Sequence, residues 1–379
     1  MERISLPKRD NWQARCEEDG FSIHSIDGLY WNEGYAFRFS ETEIDALENA
    51  TAELHAMCLE MVSEVVRRGD YQGYGLGEEV IALAEASWLE HQPSLYGRFD
   101  LAYDGKTIKL LEYNADTPTG LLEASVIQWR WLTDLGLPDQ FNSIHEKLIE
   151  GWGRFRTGQA SRLHLAASAC AGAEDWDTLH YLLDTALQAG FDQASSLNIE
   201  EIGEREGWLV DSKGEPIQTL FKLYPFEWLA NECCEVLAKT PSRLVEPAWK
   251  LLLSTKAILP MLWSRHPGHP LLLEAYFANQ AGAALSGEWA KKPLLSREGA
   301  NITRLSDGRS QSLSGSHHLD LYDQSGYVLQ RWMNLPVFDG LHACIGSWVV
   351  NDLPAGIGIR EERSLVTGNG ALFIPHFFE

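Results

Sequence analysis

The residues best suited to chemistry lie between Tyr96 and Thr119, in the run YGRFDLAYDGKTIKLLEYNADTPT. Asp100, Glu112 and Asn114 offer two carboxylates and an amide oxygen, the hard donors that magnesium takes when phosphate oxygens complete its shell. Arg98 adds a planar fork that matches a phosphate or carboxylate oxygen. Alternating patterns on either side of Asp104-Gly105 predict two antiparallel strands, with that pair supplying the positive backbone angles of a tight turn. Strand periodicity then puts Arg98 and Asp100 on one face of the first strand, and Glu112 and Asn114 on one face of the second. The polar edge of a solvated hairpin shows the same alternation. After it comes a turn rich in hydroxyls, Asn114 to Thr119, and a helix beginning near Gly120 with Glu123 in its first turn. A strand running into such a turn and a helix N-terminus makes a natural anion site.

These groups need elements to hold them. From Ser40 a capping-box pattern opens a long amphipathic helix whose Met57 and Met61 read as core among Leu and Val. A second helix, Glu78 to His91, leads into the hairpin, and a third runs from Gly120 to Leu135. Residues 158–240 read as an α/β unit, with strands near 163–169, 196–199, 208–210 and 220–224 and a helix near 175–189. Glu174 and Asp175 sit where its first strand meets its helix, the edge at which open α/β sheets bind ligands; helix capping would equally explain them. Glu246-Pro-Ala-Trp opens a helix that presents Lys256 before Pro260 ends or kinks it. Lys291 and Lys292 precede Pro293 and the loop SREGANI, in which Gly299 lets backbone N–H groups approach an anion. Tyr327 to Pro336 alternates as a strand, and a hairpin about Asn351-Asp352 delivers Arg360 from its returning strand.

Taken in order, Arg98-Phe99-Asp100, Glu112-x-Asn114-Ala-Asp116, Lys256-Ala-Ile-Leu-Pro260, Lys292-Pro293 with SREGANI, and Arg360 near Ser364-Leu365-Val366 resemble the synthetase domain of glutathionylspermidine synthase. The chain is similar over nearly its whole length to stand-alone bacterial acid–amine ligases of that family. The resemblance implies an α+β and α/β chain built on a circularly permuted ATP-grasp, with the metal hairpin early in sequence and a Rossmann-like pre-ATP-grasp unit inserted. Residues 1–90 would be an N-terminal helical segment, 91–157 the hairpin and helix of the grasp, 158–240 the pre-ATP-grasp unit, and 241–379 the lid and remaining sheet. It implies ATP and two magnesium ions as cofactors, with Asp100, Glu112 and Asn114 on the metals. Arg98, Phe99, Asp100, Lys256, Lys292, Gly299, Gln330, Leu365, Val366 and Thr367 would contact nucleotide, and Arg98 and Arg360 would act in catalysis. Thr117, Thr119, Glu174 and Asp175 fall to the substrates. Thr117 and Thr119 stand where the synthase carries serines, and Leu223 follows Lys222 where a hydroxyl is expected, so the carboxylate partner need not be glutathione.

Lys and Arg number 31 against 54 Asp and Glu, a formal charge of -23, which disfavours a nucleic-acid partner and favours cationic ones. The six cysteines show neither zinc-ligand spacing nor a disulfide framework. No stretch approaches the ~18 apolar residues of a membrane span, and a cytoplasmic monomer or homodimer is expected. Its partners would be small-molecule or peptide carboxylates and amines, or a protein acceptor. The competing class is a nucleotide-binding grasp-fold protein that acts without turnover through a protein partner; the intact set of charged motif residues argues against decay.

Overall fold

The computed structural model describes residues 1–25, 28–156, 161–281, 286–306, 308–313, 322, 324–368 and 370–379. Strands Tyr96–Tyr103 and Ile108–Asn114 pair antiparallel as expected. Their turn is longer than the dipeptide implied. Gly105 alone takes a positive φ, 91°, whereas Asp104 bonds through its carboxylate to the N–H groups of Lys106 at 3.0 Å and Thr107 at 2.7 Å. The side chain closes the turn, so Asp104 has no need of a left-handed backbone.

This hairpin forms one edge of an antiparallel sheet ordered Leu372–Ile374, Leu353–Glu362, Leu341–Val350, Tyr96–Tyr103, Ile108–Asn114; Val337–Phe338 also pairs onto Leu341–Val350. Asn351 and Asp352, at φ 53° and 63°, make the expected two-residue turn. Helix Glu41–Arg68, opened by the Ser40–Glu43 capping box, shares one core with Phe99, Leu101, Ile345 and Ile359. Met57 and Met61 lie in that core. Tyr96, Trp348 and Val350 belong to a second core, which includes Trp131, Leu148, Trp152, Leu163 and Phe221.

A second sheet is parallel, ordered Arg243–Val245, Thr219–Leu223, Arg162–Ala167, Gln193–Asn198, with helix Ala173–Gln188 crossing between the last two. It runs past residue 240; the expected boundary at 158 lies outside the described residues. A third sheet is antiparallel, ordered Ala275–Phe277, Tyr327–Arg331, Glu288–Pro293, Thr303–Ser306, Arg309–Ser312.

Two expectations need correction. The segment 1–90 is not purely helical: Glu2–Ser5 and Tyr35–Phe39 are strands, and the latter pairs in parallel with His376–Phe378 from the far end of the chain. A short strand completed by so distant a partner leaves no local pattern to read. The helix expected from Glu246 breaks into Ala248–Lys250, Leu251–Ser254 and Ile258–Arg265. Pro260 does not end it; it sits in the first turn of the last piece, where a missing N–H costs nothing. Lys256 therefore stands in the break, its backbone N–H bonded to the Leu294 carbonyl at 2.9 Å.

Among the described residues, no helix is long and apolar enough to cross a membrane.

Candidate active site

Strand register brings the hairpin's chemistry together. Arg98 lies opposite Asn114 and Asp100 opposite Glu112, so all four share a face. The register then slips: Leu101 faces Leu110, which leaves Leu111 as a bulge. On this sheet-edge strand the carbonyl of Leu111 accepts Lys292 Nζ at 3.0 Å, and that of Leu110 accepts Gln330 Nε2 at 2.9 Å. Lys292 Nζ also donates to Gln330 Oε1 at 2.8 Å, so two strands of the third sheet are tied to the hairpin edge. Gly346 pairs with Asp100, and a Cβ there would come within 2.8 Å of Arg98 Cδ; glycine is what lets Arg98 lie along the sheet.

The charges interlock. Asp100 accepts Arg98 Nε at 2.8 Å and Nη2 at 3.3 Å, and Arg360 Nη2 at 2.8 Å. Burial pushes its carboxyl up, but the two guanidinium groups outweigh burial and hold it below the ordinary aspartate range. Arg98 Nη1 donates to the Thr119 carbonyl at 2.6 Å, which fixes the hydroxyl-rich turn against the same group. Glu112 lies 3.5 Å from Lys256 Nζ and accepts Asn114 Nδ2 at 3.4 Å. Burial raises its carboxyl too; Lys256 first, with Lys292 and Asn114, brings it below the ordinary value against the opposing charge of Asp100. Lys256 Nζ also reaches the Ser296 carbonyl at 2.7 Å, at the start of the glycine loop. Lys292 is depressed to about 8, by burial above all and against the attraction of Glu112.

One pocket joins most of the nucleotide candidates to the metal candidate Glu112: Asp100, Lys292, Gly299, Gln330, Leu365, Val366 and Thr367 line it with Glu112. Gly299 has φ 67°, and a Cβ on it would meet Val366 Cγ1 at 2.5 Å, so the glycine seats its loop directly on 365–367. Phe99 does not belong here. Its ring is fully buried and stacked on Tyr113 with centroids 3.9 Å apart, because strand alternation turns it away from Arg98 and Asp100. The apolar part of the lining, including Leu111, Ile302, Trp332, Met333 and Leu335, was not read from the sequence, since apolar residues scattered over separate segments carry no local signal.

The substrate candidates divide. Thr117 accepts Arg297 Nη1 at 2.5 Å, and the same guanidinium reaches Glu227 at 3.1 Å. Thr119 offers its carbonyl to Arg98. Asp175 is pushed up to about 6 by burial, then by Glu174 and Glu298, against Arg297. The Glu174 charge acts in turn on Glu123 and Tyr30. Glu174 and Asp175 both stand in the first turn of helix Ala173–Gln188, whose N-cap is Gly172 with no side-chain cap hydrogen bond, so neither caps the helix. Asp116 was part of the motif run but was given no role; it is nearly fully buried, accepts Lys222 Nζ at 2.6 Å and the Phe226 N–H at 2.8 Å, and so braces the turn against the parallel sheet.

Among the described residues, no group of three or more His, Cys, Asp or Glu is arranged to hold a metal ion. Asp100, Glu112 and Asn114 form a different set, two carboxylates and an amide, whose hard oxygens fit magnesium when a ligand's phosphates supply the remaining donors. That requirement for phosphate fits the two lysines that reach the same face.

A family model described as "Glutathionylspermidine synthase preATP-grasp" matches residues 3–379. The chain belongs to this family. Among its relatives is a "Putative acid--amine ligase" of Haemophilus influenzae, 46% identical, with the whole of both chains covered. The trypanothione synthetase of Crithidia fasciculata is 29% identical over 83% of this chain, and the bifunctional glutathionylspermidine synthetase/amidase of Escherichia coli is 25% identical over 87%. The chain spans only about half the length of those two, 52% and 57%. A glutathione synthetase-like effector from Globodera pallida has a similar fold, with a TM-score of 0.55, 10% identity and coverage of 99% of this chain and 100% of the other. This glutathionylspermidine synthase family member is thus a mixed α/β protein of several sheets, of glutathione synthetase-like fold.

Proposed function

We propose that the protein is an ATP-dependent acid–amine ligase, joining a glutathione-like or peptide carboxylate to an amine through an acyl phosphate. Its scaffold would be an ATP-grasp of circularly permuted order, with 91–157 and the sheets beyond Val245 as the grasp, the parallel-sheet unit through Val245 as the pre-ATP-grasp unit, and 1–90, its strands included, packed on them. One observation carries this reading: Asp100, Glu112 and Asn114 share a sheet face while Lys256 and Lys292 reach it from two other elements. Carboxylates and ammonium groups converging on one cleft suit a metal-bound polyphosphate better than any single organic ion.

In this reading the apolar end of the pocket takes the base, beside Gln330, and the ammonium groups of Lys256 and Lys292 meet the outer phosphates. Asp100, Glu112 and Asn114 would hold two magnesium ions, which when bound neutralise phosphate charge. A carboxylate oxygen of the acid attacks the γ-phosphorus and ADP departs; Arg98 and Arg360 neutralise the charge that builds on the transferring group. Thr117 and Thr119 position the acid, and Glu174 and Asp175 hold the incoming ammonium. The names of the relatives, ligases that act on glutathione and polyamine derivatives, support the same class of reaction, and a protein acceptor is the variant to compare.

The test is calorimetry of ATP with magnesium, with chelator, and with Glu112→Gln. Magnesium-dependent binding that Glu112→Gln weakens, together with loss of ADP release in a correctly folded variant, is the expected result. Equal affinity with chelator and full turnover by Glu112→Gln would end the reading.

A further inference from the structure

Glu123 is an acid that the ligase mechanism above leaves idle. It opens a π-helical turn, Glu123–Ile127, four residues beyond the Thr119 carbonyl that holds Arg98, and it is 1% exposed. Among the described residues no cation is bonded to it. Its side-chain partner is the Tyr30 hydroxyl, which donates to Oε1 at 2.7 Å, and Tyr30 itself is only half-buried. The turn lies close over the strand that carries Arg360: a Cβ on Gly358 would come within 3.2 Å of the Ala124 Cβ. The charges of Glu174 and Arg360 both reach Tyr30. A carboxyl taken out of water with a phenol for a partner is costly.

We propose that Tyr30 and Glu123 form a proton relay that deprotonates the substrate ammonium before it attacks the acyl phosphate. This rests on the ligase reading and assigns it the base it lacks. An ammonium has no lone pair. The Tyr30 oxygen takes one N–H proton while its own hydroxyl proton passes to the Glu123 carboxylate, leaving a neutral amine and a carboxylic acid. The amine lone pair forms the C–N bond, the C–O bond to phosphate breaks, and phosphate departs with that electron pair. A second N–H proton leaves with the phosphate, and Glu123 returns its proton through Tyr30 to solvent. Tyr30 touches the amine; Glu123 acts through it.

The setting suits a base near neutrality. Burial first, then Glu174, raises Glu123 to about 7, with Asp177 adding to the rise and the Tyr30 hydrogen bond opposing it. Arg360 faces the relay from the strand side, through Tyr30. Glu174 and Asp177 both come from helix Ala173–Gln188.

The test compares wild type, Glu123→Gln and Tyr30→Phe with ATP, magnesium and glutathione or short peptides, using two nucleophiles. Hydroxylamine is already unprotonated at neutral pH and needs no base; 1,4-diaminobutane arrives as an ammonium. Amide formation with the diamine should fall about a hundredfold or more in either variant, while hydroxamate formation changes less than about threefold. The wild-type diamine rate should also level off above about neutral pH, whereas in Glu123→Gln it should keep rising with pH, because only the small fraction of free amine can attack. Hydroxamate formation shows that a variant is folded and still makes acyl phosphate. Equal loss with both nucleophiles, or no loss with the diamine, overturns the relay while the ligase reading stands. Wild-type protein that gives neither hydroxamate nor positional isotope exchange in ATP with any acid overturns the ligase reading, and the relay with it.

Discussion

Asp116 and Lys222 give the sharpest test of how the site is held. Lys222 is wholly buried, its Nζ 2.6 Å from Asp116 Oδ1, 3.2 Å from the Tyr224 carbonyl and 4.9 Å from the centre of the Phe226 ring. Asp116→Asn removes the countercharge and leaves one amide oxygen to serve two donors, so that its NH2 faces either Nζ or the Phe226 N–H, and breaking a buried pair in this way costs ~3–5 kcal/mol. Lys222→Met is milder. Asp116 then keeps the Phe226 N–H at 2.8 Å and Arg297 at 4.0 Å, so the loss should be nearer ~1–3 kcal/mol. With both changes no charge is left stranded, and the double variant should recover to within about 2 kcal/mol of wild type. Several sheets need not unfold together, so hydrogen exchange of strand Thr219–Leu223 and the Phe226 amide reads the local cost better than one melting temperature. Strictly additive single losses, with coupling below about 0.5 kcal/mol, would show that the pair is not the buried strut described.

Further outcomes are expected. Arg98→Ala should slow positional isotope exchange in ATP about a hundredfold, on the order of 3 kcal/mol, with ATP affinity changed little; a large loss of affinity at an unchanged rate would place Arg98 on the ground state. Gly299→Ala strains a φ of 67° and drives a methyl into Val366, so nucleotide affinity should fall, and the protection that a non-hydrolysable ATP analogue confers on residues 296–302 in hydrogen exchange should weaken; unchanged protection would count against a closing loop. His376 is fully buried, bonded at Nδ1 to Gln128 Oε1 at 2.9 Å, and burial lowers it from 6.5 to about 3. Between those values the unfolded chain binds more protons, so stability is present above 6.5 and is lost as pH falls. His376→Leu should therefore flatten the pH dependence of stability by up to ~1.4 kcal/mol per pH unit between about pH 6 and 4, read by urea titration; an unchanged slope would refute the burial argument.

Local chemistry made much of the site legible. The hairpin declared itself because strand alternation and a turn dipeptide act within a few residues, and the Ser40 capping box and the Asn351-Asp352 turn are equally local. Alternation alone put Arg98 with Asp100 and Glu112 with Asn114. Where a reading failed, a second local solution existed: Asp104 closed its turn with a carboxylate, and Pro260 sits in the first turn of a helical piece although it was expected to end or kink its helix.

By itself, then, the sequence determined which side chains were available and which faces of their own elements they occupy, because propensity and periodicity are properties of neighbouring residues. Only the tertiary structure decided their partners. The bulge at Leu111, which sets Glu112 opposite Asp100 and offers carbonyls to Lys292 and Gln330, depends on pairing between strands. Two arginines converge on Asp100 although 262 positions, from 98 to 360, separate them. Buried charges such as Asp116 with Lys222, and Glu123 with its phenol, became visible only when burial was known, because an acid in a sequence looks the same whether it is solvated or enclosed. Desolvation is a property of the packed molecule, and it sets what each of these groups can do.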